Sequence, residues 1–233
     1  MESLLEWARG PAFIFCFGFM ILGYLRHTVL TVVEIRRHMK RAGDKRLPLG
    51  AIATATLKWL IPIDKIRHQF LFSLTSILFH VAILVVPIFL LGHIALWTRG
   101  LGIWWPGIPN HMADLLTVVA VVTAVTLVLQ RALSKATRSL SRFQDYAIPL
   151  AVAMPFVSGF FLMHPGISPF SFDAAFFFHV MSANLLFVLM PMTKLSHAVL
   201  LPTVQLVSEV GWRWPAGSGS RVAAALHKEE EPV

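Results

Sequence analysis

Residues 174–201 read AAFFFHVMSANLLFVLMPMTKLSHAVLL, 28 residues with one charged side chain, Lys194, and two histidines, His179 and His197. About 20 apolar residues in a helix cross the ~30 Å hydrocarbon core of a bilayer, so this run is long enough to span one. Four further apolar runs precede it, at about 11–34, 70–97, 112–130 and 143–163. Together they predict an all-α, integral membrane five-helix bundle over 1–206, followed by a tail, 207–233. Composition agrees: 56% of residues are apolar, 14% are charged, and the mean hydropathy is +0.69. A soluble domain carries about 25% charged residues, so a water-soluble enzyme is excluded.

The connections set the expected orientation. Lys and Arg number nine between Arg36 and Arg67 and four between Arg131 and Arg142, whereas the other two connections hold Arg99 alone and none. Basic loops stay in the cytoplasm, which places the N-terminus outside and the C-terminus, with Arg213, Arg221 and Lys228, inside. The formal charge of +8 then reflects topology and not a nucleic-acid partner. The N-terminus carries Glu2 and Glu6 and lacks a basic leader, so the first run reads as a retained span. Within the long inner loop, 51–63 predicts a short helix lying on the membrane or receiving a partner subunit. Trp104 and Trp105 suit the outer interface, and the tail from Trp214 reads as mobile. Cys16 is the one cysteine, which excludes an iron-sulfur or Cys-based zinc site within this chain.

Four of the ten histidines fall in the spans: His80 and His93 in the second, His179 and His197 in the fifth. Ionisable groups at membrane depth are costly and face the protein interior, so each is a functional candidate. On one continuous helix, His179 and His197 are about 1800° apart, five whole turns, and about 27 Å, so they share one face near opposite sides of the membrane. Two imidazoles on facing helices make an axial pair for a haem iron. Two ligands on one helix imply two haems, and depth pairs His80 with His197 on the inner side and His93 with His179 on the outer. On an ideal helix His80 and His93 lie about 140° apart, a mismatch that a kink or unwinding at Pro87 would reduce. His68 is an alternative ligand to His80, being about 20° from the face of His93.

These residues resemble the gamma subunit of respiratory nitrate reductase and the related cytochrome b subunits of sulfur-metabolism membrane complexes. His179, Pro191, Lys194 and His197 follow the family's order of ligand, proline, basic residue and ligand. Leu78, Phe79, His80 and later Gly92, His93 resemble its second helix. The longer separation of that helix's ligands lies nearer the sulfur-metabolism, heterodisulfide reductase-like branch. Weaker echoes are Tyr24, Leu25, Arg26 and the pair Arg131 and Asp145.

The resemblance implies a dihaem cytochrome b in the cytoplasmic (inner) membrane of a bacterium or archaeon. Such a subunit exchanges electrons between quinol, menaquinol being the expected type, near the outer haem and a cytoplasmic iron-sulfur or heterodisulfide reductase-like subunit through the inner one. A periplasmic cytochrome c is a further possible partner. Quinol chemistry needs groups that accept protons, which on the outer side are His111, Asp114, His164 and Asp173. The family places a basic residue near the start of the third span, where this chain has His111, so His111 and Asp114 are the expected quinol and proton site. Asp114 and Asp173 could equally cap the third and fifth helices. Lys194 and Arg131, near the inner boundary, could contact haem propionates or extend to the headgroups. Alternatives are a haem relay between a periplasmic cytochrome c and the cytoplasmic partner without its own quinone site, and a haem-free structural anchor.

Overall fold

A computed structural model describes residues 2–42, 49–60, 69–197, 200, 205, 207–208 and 218–230. The elements are α1 (Glu2–Trp7), a π-helical turn (Ala8–Ala12), α2 (Phe13–Ala42), α3 (Leu49–Leu60), α4 (Phe70–Phe89), α5 (Leu91–Leu101), α6 (Asn110–Leu133), α7 (Lys135–Leu140), α8 (Phe143–Met163), α9 (Phe172–Met192), a 3-10 turn (Lys194–Ser196) and α10 (Ser218–Ala225). Among the described residues there is no strand, and five helical stretches are long and apolar enough to cross a membrane: Glu2–Arg37, Phe70–Phe89, Asn110–Leu133, Phe143–Met163 and Phe172–Met192. The protein is an all-α, multi-pass membrane protein.

Two compact units divide the chain, one comprising 1–19 and 64–194, the other 20–63 and 195–233. In the first, α4 packs on α6, α6 on α8, α8 on α9, and α9 on α1 and the π turn. Helix α6 shows why these sequences associate. Its buried positions are Ala113, Thr117, Ala120, Thr123, Ala124 and Leu127, while Leu115, Val118, Val122, Val125 and Leu129 are exposed. In lipid no hydrophobic force drives helices together, so small residues take the contact face and the large apolar ones meet the acyl chains. Thr117 and Thr123 donate their hydroxyls to the carbonyls of Ala113 and Val119 (2.8 and 2.6 Å), which satisfies them within the helix. Gln130 donates to Thr75 Oγ1 at 3.2 Å, tying α6 to α4.

The first span departs from a plain helix at Pro11. A proline lacks the N–H that an α-helix needs there, and the ladder widens into a π turn. Asn184, 2% exposed on α9, donates its side-chain amide to the Ala8 carbonyl at 2.9 Å. The buried π turn is thereby fastened to the fifth span.

Both histidine-bearing spans are interrupted where one continuous helix was expected. The second breaks at Leu90, whose ψ of 127° is extended, three residues after Pro87. The fifth ends at Met192; Thr193 is extended (φ −124°, ψ −173°) and a 3-10 turn follows. The single-face register of His179 and His197 therefore does not hold along one helix. Pro191 cannot donate to the ladder, and the chain leaves it two residues later.

In the second unit, α2 continues to Ala42. The expected surface helix of the inner loop is α3, with Ile52 buried; its expected end at 61–63 lies outside the described residues. The tail, expected to be mobile, contains α10, whose run of alanines at 223–225 favours helix.

Candidate functional site

Three carbonyls are orphaned where α4 ends, and each finds a donor from the segment that follows. Phe89 O accepts from Ile108 N at 2.9 Å, Ile88 O from Trp105 Nε1 at 2.9 Å, and Pro87 O from His93 Nδ1 at 3.1 Å. Gly107 permits this closeness, since a Cβ there would stand 2.9 Å from Phe89 O. The helix break thus turns the His93 ring by a route unavailable to a straight helix and anchors it through Nδ1–H.

His179 is held by the same device on the opposite side. Its Nδ1–H donates to Pro155 O of α8 at 2.8 Å. In an α-helix the carbonyl of Pro155 points toward residue 159, and that residue is glycine. A Cβ at Gly159 would lie 3.0 Å from His179 Cε1 and 3.1 Å from Nδ1, so the missing side chain is the space the imidazole occupies.

The two rings lie together, with centroids 6.0 Å apart and planes 14° from parallel. Two imidazoles that hold one metal between them, each nitrogen at about 2 Å, place their centroids about 6 Å apart. With both Nδ1 atoms committed to carbonyls, Nε2 of each ring is left to act as a ligand. A backbone carbonyl that fixes tautomer and ring orientation is the usual outer partner of a ligating histidine. Among the described residues no cluster of three or more His, Cys, Asp or Glu is placed to hold a metal ion. The arrangement is a two-ligand one, suited to a metal whose other positions are filled by a cofactor.

His80 is exposed on α4, and its Nδ1 donates to Ser76 O at 2.7 Å, the same carbonyl-fixed state. It belongs to the first unit, and His197, exposed in the helical turn after Ser196, belongs to the second. His68, the alternative ligand, lies outside the described residues.

The remaining candidates fall at the two ends of the helices. Where α6 begins and α8 ends, Asp114 Oδ2 stands 3.5 Å from His164 Nε2. His164 donates Nδ1–H to Phe160 O at 3.0 Å and lies flat on the Phe160 ring at 4.3 Å. The expected grouping of His111 with Asp114 is therefore completed by His164, while His111 is exposed in the first turn of α6. Asp114 does not cap α6, whose N-cap is Pro109. Asp173 does not cap α9 either, because Ser171 Oγ accepts from Ala174 N. At the other end, Lys194 Nζ binds both oxygens of Asp145 at 2.6 and 2.7 Å, and Asp145 also accepts from Arg142 N at 2.8 Å to cap α8. Lys194 is thus engaged with a carboxylate. Arg131 donates to Ser141 Oγ at 3.3 Å.

Sequence reasoning passed over Gly159, Pro155, Trp105 and the Asp114–His164 contact. The four-residue spacing of Pro155 and Gly159 in an apolar span was the signal available for the first two.

The chain is 36% identical over 154 residues to a protein of Nitratidesulfovibrio vulgaris described only as "Protein". The match covers 65% of this chain and 66% of that one, so the chain spans just under two thirds of its relative's length. No family model matches the chain, and no solved structure matches it.

Proposed function

We propose that this protein is a dihaem b-type cytochrome, the quinol-reactive membrane subunit of a respiratory complex in the cytoplasmic membrane of a bacterium or archaeon. The observation that carries this reading is the His93–His179 pair: two near-parallel imidazoles, 6.0 Å apart between centroids, each with Nδ1 spent on a backbone carbonyl. A bound haem would supply one-electron redox chemistry at its iron. His93 and His179 would be its axial ligands, Pro87 and Pro155 would orient them through their carbonyls, and Gly159 would leave room for the ring. His80 and His197 are the proposed ligands of a second haem on the cytoplasmic side.

In this reading quinol is oxidised near the His93–His179 centre, and electrons leave by the His80–His197 centre to a cytoplasmic iron-sulfur subunit. The basic segments flanking the spans face the cytoplasm. Acidic and histidine side chains at the start of α6 and the end of α8 receive the protons that quinol gives up.

The test is to purify the full chain in detergent and follow its visible spectrum while adding menadiol. Reduction of a b-type haem in wild type, absent in His93→Ala and His179→Ala, supports the reading. A haem that dithionite reduces and menadiol does not would favour a relay without a quinone site.

A further inference from the structure

Of the polar groups at the His93–His179 end of the bundle, one contact joins two helices and has no structural task already assigned. Asp114 of α6 faces His164 of α8 at 3.5 Å, oxygen to Nε2. Their side chains are 36% and 35% exposed, enough for exchange with water. The proton on His164 Nδ1 is committed to Phe160 O, so a carboxylate and an imidazole nitrogen lone pair confront each other. Two acceptors in that arrangement are joined by taking up one proton between them.

The pair is also placed with respect to the histidine centre. Gly159, against which the His179 ring lies, precedes His164 by five residues of the same chain, about 7 Å of helical rise. On the water side, His111 is exposed and lies three residues before Asp114, where i and i+3 side chains have Cβ atoms about 5–6 Å apart. Other charged groups of the elements forming this end are Asp173 on α9, Arg99 on α5, and Glu6 and Arg9, which pair with each other at 3.9 Å on the N-terminal segment.

We propose that the Asp114–His164 pair is the proton acceptor for quinol oxidised at the His93–His179 centre. The proposal rests on the reading of that centre as quinol-reactive. Oxidation of one quinol to quinone breaks two O–H bonds and releases two electrons and two protons. The electrons pass one at a time to ferric haem iron, which becomes ferrous. Each proton passes in turn to the site between Asp114 Oδ2 and His164 Nε2 and leaves through His111 to water, which readies the pair for the next.

The test uses the full haem-loaded chain with Asp114→Asn and His164→Gln, which break the pair from opposite sides, and Asp114→Glu as the conservative replacement. None of the three is a haem ligand, so the reduced spectrum and haem content report whether each variant is folded. Two measurements follow: stopped-flow haem reduction by menadiol, and redox titration of the same haem with mediators, without quinol, at a series of pH values. Positioned proton transfer contributes about 10²–10⁴-fold, of which nearby water restores part, so the first two variants should slow reduction by menadiol at least about tenfold. They should also flatten the pH dependence of the haem potential, and Asp114→Glu should retain both. Unchanged rates and an unchanged pH dependence, with wild type reduced by menadiol, would overturn the proposal and leave the quinol reading standing. A wild-type haem that menadiol does not reduce would overturn both.

Discussion

Replacing Gly159 with alanine separates the stability of the helices from the integrity of the histidine centre. The added Cβ would meet His179 Cε1 at 3.0 Å and Nδ1 at 3.1 Å, where carbon contacts settle at about 3.5–4.0 Å, so the ring must retreat by about 0.5 Å or more. Overpacking of this kind costs about 1–3 kcal/mol, and alanine returns up to about 1 kcal/mol over glycine in a helix. The fold should therefore lose no more than about 2 kcal/mol. The retreat loosens the 2.8 Å bond from His179 to Pro155 O, and loss of such an orienting partner lowers metal affinity by about 10–100-fold. Haem per chain, measured as pyridine haemochrome after dilution and washing, should fall while the thermal melt of the detergent-solubilised protein moves little. Gly18→Ala, at a helical site with nothing within 4 Å of the new Cβ, should change neither. Gly159→Ala protein with wild-type haem content and an unshifted reduced spectrum would refute the reasoning.

Trp105→Phe removes the donor to Ile88 O at the end of α4; leaving that carbonyl unpaired should cost about 1–3 kcal/mol, read as a lower melting temperature. Asp145→Ala should cost more than Lys194→Ala. The half-exposed Lys194 contributes under about 1 kcal/mol, whereas the carboxylate also caps α8, a role worth a further 0.5–2 kcal/mol or about that. The 14° between the His93 and His179 planes predicts a rhombic low-spin ferric EPR spectrum. The highly anisotropic spectrum of crossed imidazole planes would contradict that geometry.

The five spans were legible because bilayer thickness demands long apolar runs, and the fourth was expected and found at 143–163. The breaks were legible only as prolines. Pro87 announces a disturbance, but the parting at Leu90 depends on Trp105, Gly107 and Ile108, which supply donors and close approach from a loop whose path the sequence does not reveal. Depth alone suggested His93 opposite His179; the carbonyls that orient them are backbone groups, invisible in side-chain patterns. Lys194 next to a ligand-like histidine reads as a haem contact in sequence, yet Asp145, 49 residues earlier, takes its charge. His164 before Pro165 and Gly166 reads as a turn residue, and only the packing of α6 against α8 brings Asp114 to it.

The most direct test of the dihaem reading is the number of b haems per chain in purified protein, by pyridine haemochrome and dithionite-reduced spectrum. Two per chain in wild type are expected. His93→Ala and His179→Ala should each remove the same one, and His80→Ala and His197→Ala the other. Well-folded protein that carries no haem would contradict the reading and leave a structural membrane anchor in its place.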